Sequence, residues 1–541
     1  MFSFTAKFVI MIFYIWVAAL VAAFVIYCRQ VYSRFSKYGV KNRTPIPLVG
    51  NMATTMLRLR HFVDIINNMY TDYPEERFVG NYEFVKPVIF IRDIELIKKI
   101  TVKDFEHFLD HRTFVSEELD PLFGRNLFSL KGQEWKDMRS TLSPAFTSSK
   151  MKHMLPFIVE VGNQMVNSLK TKILKSKSKS IEIDVKDLST RFANDVIASC
   201  AFGLRVDSHT DDNNEFYKMG YKASNFGFWQ LMKFFLYASV PSLAKKMKMT
   251  LFSDDVADFF KHLVTSTMKD REAHNILRPD MIHLLMEAKK GRLTHDERSD
   301  KDADAGFATV EESTVGKKTT NRTWSDIDLV AQAALFFIAG FETVSTAMTF
   351  LLYELAVNPD VQEKLAQEIS EHEKTSGGKF DYNSIQSMTY MDMCVSELLR
   401  LWPPAVASDR LCNKDYNLGK PNAKATEDYI MKKGEGLNIP VMAIHRDPEF
   451  FPDPLKFDPE RFSDERKHEI LPFTYLPFGL GPRNCIGSRF ALCEVKVMVY
   501  QLLQHMKVEP SERTHIPIQL STESFNLRMK GGHWLQLRAR N

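Results

Sequence analysis

One cysteine, Cys485, stands near the end of the stretch Pro477-Phe478-Gly479-Leu480-Gly481-Pro482-Arg483-Asn484-Cys485-Ile486-Gly487. Glycine and proline at this density forbid a regular element, so the backbone here is a shaped loop. Beyond it Phe490, Val495, Val497 and Met498 recur at helical spacing. Cys485 therefore sits at or just before a helix N-terminus, where free N–H groups and the macrodipole favour an anion. Such a place lowers a thiol's pKa, and the thiolate is the form that attacks or binds a metal. The residues leave two readings open. Cys485 is a structural cysteine in a turn, or it is a ligand in a loop whose glycines let a flat, bulky group lie against the backbone.

Three further groups could do chemistry. Ala339-Gly340-Phe341-Glu342-Thr343 places a carboxylate and a hydroxyl in the middle of a stretch, Ala331 to Ala347, that is apolar nearly all round. A helix of that kind is buried, and polar groups at its centre either move protons or mark a kink with Thr343 bonded back to its own helix. Trp135 and Arg139, four apart, share a helix face and form a surface cation–π contact or a ligand site. Glu397 and Arg400, three apart, form an ion pair, ordinarily an exposed one of small value.

The elements that must carry these residues follow from the pattern. Ser325 caps a helix running to about Val357, with Asp326 and Asp328 at its positive end, and Asn358-Pro359 opens the next. Helices start at Gly132 and at about Met388, the latter ending near Leu401 before Pro403-Pro404. Strands are expected at Phe78–Phe84, Pro87–Ile91, within Val406–Arg461, and near His515–Leu520 and Gly532–Leu537. Residues Lys289 to Asn321 read as a long loop. The fold class is α+β, mostly helical with a smaller β portion.

The chain has 541 residues, 45% hydrophobic content and a formal net charge of +4. No region concentrates basic residues with readout aromatics, which argues against a nucleic-acid partner. Six scattered cysteines (Cys28, Cys200, Cys394, Cys412, Cys485, Cys493) make no disulfide framework and point to a reducing compartment. Phe8 to Tyr27 is long and apolar enough to cross a bilayer, and Cys28-Arg29-Gln30 replaces the small-residue site of a cleaved signal. Lys7 lies before the span, but Arg29, Arg34, Lys37, Lys41 and Arg43 follow it, which puts the bulk of the chain in the cytosol. The expected division is an anchor over 1–28, a basic and proline-containing hinge over 29–50, and one domain over 51–541. Aromatics in Phe226–Tyr237, followed by Lys245, Lys246 and Lys248, fit either a second membrane contact or core packing.

Taken together and in order, these motifs resemble the cytochrome P450 superfamily, the haem-thiolate monooxygenases. Phe478-x-x-Gly481-x-Arg483-x-Cys485-x-Gly487 is similar to the family's cysteine-ligand loop. Ala339-Gly340-x-Glu342-Thr343 resembles its oxygen-activating helix segment, and Glu397-x-x-Arg400, Pro459-Glu460-Arg461-Phe462 and Trp135-x-x-x-Arg139 match in sequence order. The phrasing around them (Ser143-Pro144-Ala145-Phe146-Thr147, Arg278-Pro279-Asp280-Met281, Ala443-Ile444-His445-Arg446-Asp447-Pro448) is most similar to insect microsomal members that oxidise xenobiotics.

The resemblance implies a haem b cofactor with Cys485 as its metal ligand. It implies cofactor contacts at Arg483, Trp135, Arg139, Arg410, Gly340 and Phe478, with His111 as a further propionate contact. Gly481 and Gly487 would let the haem face lie close to the backbone. Thr343 and Glu342 would carry protons, Glu397, Arg400 and Arg461 would lock the opposite side, and Cys493 would only pack. By analogy the substrate pocket would draw on Phe114, Phe123 to Leu130, Phe226–Trp229, Phe336, Phe337, Ala339, Ala405–Ser408 and Glu523–Asn526. No G-x-G-x-x-G fingerprint is present, so electrons are expected from an NADPH-dependent membrane reductase, with cytochrome b5 as a second partner. Lys131, Lys136, Arg466, Lys467, Arg489 and Lys496 would form its docking face. The implied activity is oxidation of lipophilic small molecules at the endoplasmic reticulum membrane, as xenobiotic detoxification or as turnover of one endogenous hormone, pheromone or fatty acid.

Overall fold

A computed structural model describes residues 2–112, 115–224, 228–290, 306–311, 313, 315, 322–377 and 380–540. The chain opens on α1 (Phe2–Val31). Within it Lys7–Val31 form a 25-residue apolar span, none of it covered by the rest of the protein. At 1.5 Å per residue that length exceeds the ~30 Å hydrocarbon core of a bilayer. The basic segment after it does not stand free. Phe35 and Val40 enter the core, Arg34 pairs with Glu435 at 2.8 Å, and the proline turn closes through Ile46 and Gly50, which exchange backbone hydrogen bonds of 2.8 and 2.7 Å.

Strands β1 (Phe78–Glu83) and β2 (Lys86–Ile91) form a hairpin. Helices α2 (Gly132–Leu142) and α3 (Ser148–Lys175), strand β3 (Ser180–Asp184) and helix α4 (Val185–Ile197) follow. Next come α5 (Asp254–His274), α6 (Met281–Lys289) and the central helix α7 (Asp326–Val357). After α8 (Pro359–Ser376) and α9 (Thr389–Leu401), β4 (Ser408–Leu411) and β5 (Gly436–Ile439) complete a four-stranded sheet in the order β1-β2-β5-β4. Helix α10 (Ser488–His505) leads into β6 (Met506–Pro510), and β7 (Trp534–Ala539) sits between β3 and β6 in a second sheet.

The central helix is built as its sequence asks. Asp328 N–H donates to Ser325 Oγ at 3.3 Å and Ser325 N–H donates back to Asp328 Oδ2 at 2.9 Å, a reciprocal cap that satisfies two otherwise orphaned donors. Its C-terminal half, from Val344 to Ala356, is buried among α4, α9 and α10. No kink is needed at Gly340, since the helix is continuous through it.

Two expectations change. His515–Leu520 forms no strand; only Leu520 makes a bridge, to Met529. Pro517 removes a ladder donor from its middle. Residues 291–305, 312, 314 and 316–321 of the expected long loop lie outside the described residues, but Gly306–Glu311 is placed against the domain.

Candidate active site

A cavity of about 470 Å³ separates α7 from the cysteine loop. Leu335, Phe336, Ala339, Gly340 and Thr343 line it from the helix, and Phe478, Arg483, Asn484 and Cys485 from the loop. Cys485 is exposed to this space. Its N–H donates to Phe478 O at 2.8 Å, folding the loop back on itself. The helix proper starts at Ser488, with Gly487 as its cap. Gly481 takes φ +67°, and a Cβ there would collide with the Thr101 carbonyl, so this glycine serves loop packing where close approach of a ligand was expected. A Cβ at Gly487 would meet only the Phe146 ring, at 3.8 Å. Cys493 faces inward and burial pushes its thiol up to about 12, a packing residue.

One edge of the cavity is strongly cationic. Trp135 and Arg139 do share a face, but both are buried, and the guanidinium over the Trp135 ring belongs to Arg483, at 3.9 Å. This replaces the expected surface pair. Arg483 fans its donors to the carbonyls of Leu109 (2.7 Å) and Leu130 (2.8 Å) and lies 3.5 Å from Asp110. Arg139 donates to Asn484, to its carbonyl at 2.7 Å and its Oδ1 at 2.8 Å. Arg410 is 3% exposed and, among the described residues, donates to Ser408 Oγ and Asp409 O alone. Burial draws the Arg410 guanidinium down to about 10, and burial together with Arg410 itself draws Arg483 well below its ordinary range.

The carboxylates nearby are largely committed. Asp409 accepts from His111 at 3.0 Å and from the Arg112 N–H at 2.6 Å; burial opposes its charge, but these partners hold its pKa low. Asp110 accepts from Gly132 N–H and Asn413. Arg139 and Arg483 thus line the cavity edge with Arg410 buried behind Asp409, a cationic wall that suits an anion.

On the helix side the acid and the alcohol part company. Thr343 lines the cavity and donates to Ala339 O at 2.6 Å, the back-bond its sequence allowed. Glu342 turns the other way. Arg528 grips its carboxylate with two donors at 2.5 and 2.9 Å, and Lys186 Nζ stands 3.5 Å off. Burial opposes its charge, but Lys186 and Arg528 more than offset that and hold Glu342 below the usual carboxylate range. Lys186 also donates to Ser345 Oγ (2.6 Å) and Thr346 Oγ1 (3.2 Å), and burial brings it down to about 7.

Behind the cysteine loop, Glu397 and Arg400 are wholly buried and paired through two bonds of 2.7 and 2.9 Å. Arg461 approaches Glu397 at 3.5 Å, and Arg400 also donates to the carbonyls of His445, Pro454 and Lys456. An exposed pair was the ordinary expectation for this spacing; burial of α9 between the core and the Pro459–Phe462 turn overrides it.

Other expected positions divide. Leu127, Phe128, Ala405, Ala407 and Ser408 line the cavity, but Phe337 packs with Phe216, Phe260 and Phe341 on the far side of α7. Phe123 packs toward Phe252, and Phe525 stacks on Phe62. Phe114 and Phe226 lie outside the described residues. Of the second aromatic run, Trp229 is 75% exposed and Tyr237 is buried. Lys496, expected on a docking face, is fully buried beside Asp392 at 3.0 Å. Its position on α10 points into the core. Lys136 pairs with Glu106, Arg466 with Asp458 and Lys467 with Asp464 at 2.7, 3.1 and 2.6 Å, while Lys131 is exposed and Arg489 half-buried. Sequence reasoning missed Asp409, Lys186 and Arg528, which no local spacing marks. It also missed Asn484, whose place between Arg483 and Cys485 was the only signal.

The residues fit a haem. Cys485 is the exposed thiol of this cavity, Cys200 being buried and bonded to Met154 O. It can hold a metal only if the metal brings its other ligands, since among the described residues no cluster of three or more His, Cys, Asp or Glu is placed to supply them. The guanidinium groups of Arg139 and Arg483 on one wall suit carboxylates on one edge of a flat group. Comparison with known proteins agrees. The Cytochrome P450 family profile matches residues 40–535. Cytochrome P450 9e2 of Blattella germanica is 45% identical over 94% of each chain. Probable cytochrome P450 9f2 of Drosophila melanogaster is 44% identical over 94% of this chain and 95% of its own. Cytochrome P450 6k1 of Blattella germanica is 36% identical over 95% and 94%.

Proposed function

Because the chain belongs to the cytochrome P450 family, whose members are haem-thiolate monooxygenases, we propose that it is a membrane-anchored enzyme inserting one oxygen atom from O2 into apolar small molecules. Haem b, held by the Cys485 thiolate, supplies oxygen activation when bound, thiolate ligation favouring O–O cleavage. Arg139, Arg410, Arg483 and Trp135 would hold its carboxylates, with His111, drawn down by burial, hydrogen-bonded to Asp409. Gly340 and Phe478, which line the cavity from the helix and from the loop, would border the group. The observation that carries this reading is a cavity with the Arg139 and Arg483 guanidinium groups on one edge and the exposed Cys485 thiol facing it.

Thr343 offers the cavity a hydroxyl whose proton is donated to Ala339 O, so it can accept a bond there and can donate one only by releasing Ala339. Glu342 keeps its charge in the buried pairing with Arg528 and Lys186 on the other side of the same helical turn and must leave Arg528 to reach the cavity. The rest of the wall is aliphatic and aromatic (Leu335, Phe336, Ala339, Phe128, Ala405), which excludes water and selects lipophilic substrates. The similarity to insect relatives supports a detoxifying role; one defined hormone, pheromone or fatty acid is the alternative. Residues 1–28 are the endoplasmic reticulum anchor and 51–541 the catalytic domain on the cytosolic side. Electrons come from an NADPH-dependent reductase, with cytochrome b5 as a second donor. In the test, the reduced protein with CO shows the Soret band of thiolate-ligated haem, and Cys485→Ala abolishes it; a surviving band would refute the ligand assignment. Turnover of a lipophilic panel with reductase and NADPH separates the two roles, because a single tight substrate sinks detoxification.

A further inference from the structure

The connection between α6 and α7 comes back to the domain at Gly306–Glu311, on the outer side of the cysteine loop. Phe307 lodges its ring beside Phe462 and Tyr475, with centroid separations of 5.0 and 5.5 Å. Its N–H donates to Asp392 Oδ2 at 2.9 Å, and Ala308 joins the main core with 3% exposure. Gly306 takes φ +112°, and a Cβ there would overlap the Asp392 carboxylate, so glycine alone lets the backbone come this close. Asp392 itself lies 3.0 Å from Lys496 of α10. The segment is therefore tied to α9 directly and to α10 through that pair.

Its far end reaches the residue before the cysteine. The Glu311 carbonyl accepts from Asn484 Nδ2 at 2.8 Å. From the opposite side Arg139 of α2 donates to Asn484 Oδ1 and to its carbonyl. Both atoms of the side-chain amide are used, one by a helix and one by the connection. The carbonyl bound by Arg139 belongs to the peptide that enters Cys485.

We propose that Gly306–Glu311 is a strap that positions the cysteine ligand by pinning Asn484 against Arg139. The proposal rests on the haem-thiolate reading above and assigns the strap a positioning role, with no part in the reaction itself. A thiolate ligand's potential and durability follow the hydrogen bonds and burial around it. Slack in the peptide carrying Cys485 would let the sulfur drift from its aim and water reach it. A segment that merely packs would lower stability when loosened and leave the ligand's electronic state alone.

The test uses the full-length holoprotein. Phe307→Ala removes the strap's anchor without touching Asn484, Arg139 or Cys485. Its ferrous carbonyl complex is expected to convert several-fold faster than wild type from the thiolate-ligated to the neutral-thiol spectral form, with a raised midpoint reduction potential. Phe307→Leu, which refills the notch, restores both. If Phe307→Ala is not recovered folded, Gly306→Ala, which displaces the strap from Asp392, is read for the same two quantities. Wild-type conversion rate and potential in either folded variant overturn the proposal. Absence of a thiolate-type complex in the wild-type chain would instead overturn the haem-thiolate reading on which it rests.

Discussion

Two buried arginine clusters lie on either side of the cysteine loop, and they are satisfied in opposite ways. Around Glu397 a carboxylate is engaged directly: Arg400 is paired twice with it, its remaining donors end on three carbonyls, and Arg461 stands 3.5 Å from the same carboxylate. Beside the cavity Arg410 has no carboxylate in bonding range among the described residues, Arg483 meets Asp110 at 3.5 Å and otherwise ends on carbonyls, and burial depresses both. A closed cluster serves the fold, because breaking it strands a charge in the core. An open one costs stability until an anion arrives, and that marks it as a binding site.

The largest effect should come from opening the closed cluster. Glu397→Gln leaves two guanidinium groups unmatched and should destabilise the protein by about 3–5 kcal/mol. Chemical denaturation of the apo protein would read it, and a loss under 1 kcal/mol would mean the two clusters do not differ as claimed. Arg410→Met should act in the opposite sense on the apo protein, leaving stability unchanged or raised, while weakening haem retention measured by transfer to an acceptor protein. Equal losses in apo and holo forms would erase the comparison.

A third, intermediate cluster sharpens it. Lys186 faces Glu342, Arg528, Asp184, Ser345 and Thr346, and burial places it at about 7 against an ordinary 10.5. Between those two values the unfolded chain holds a proton that the folded chain does not, so unfolding takes one up. Stability should therefore rise with pH from about 7 toward 10. Lys186→Met should flatten that rise and gain most below pH 7, which denaturation at a series of pH values would show. The smallest effect belongs to the surface. Lys136→Ala breaks a half-exposed pair with Glu106 and should change stability by about 0–1 kcal/mol. If Lys136 meets an electron donor, the same variant should slow haem reduction in a salt-dependent way.

Much of this arrangement was legible before any coordinates. The capped central helix from Ser325, the helices beginning near Gly132 and Met388, the Phe78–Ile91 hairpin and the apolar leader all follow from periodicity, caps and turn residues, which are local. The strand expected at His515–Leu520 failed for a local reason as well, its internal proline. The docking role expected of Lys496 failed for a non-local one: side chains at equal spacing on α10 meet solvent or core according to what packs beside them.

The sequence by itself determined the chemistry the chain can hold: a thiol in a glycine-shaped loop, a hydroxyl and a carboxylate in an apolar helix, and buried-type motifs in a fixed order. These depend on residue identity and near spacing, which the chain carries in any conformation. Only the tertiary structure decided which charges meet. It turned Thr343 toward the cavity and Glu342 away to Arg528, moved the cation over Trp135 from Arg139 to Arg483, and left Arg410 without a matching carboxylate among the described residues. It also brought Glu311 to Asn484, 173 residues further along the chain. Pairings at such separations are set by how the helices and sheets close on one another, and no local pattern encodes them.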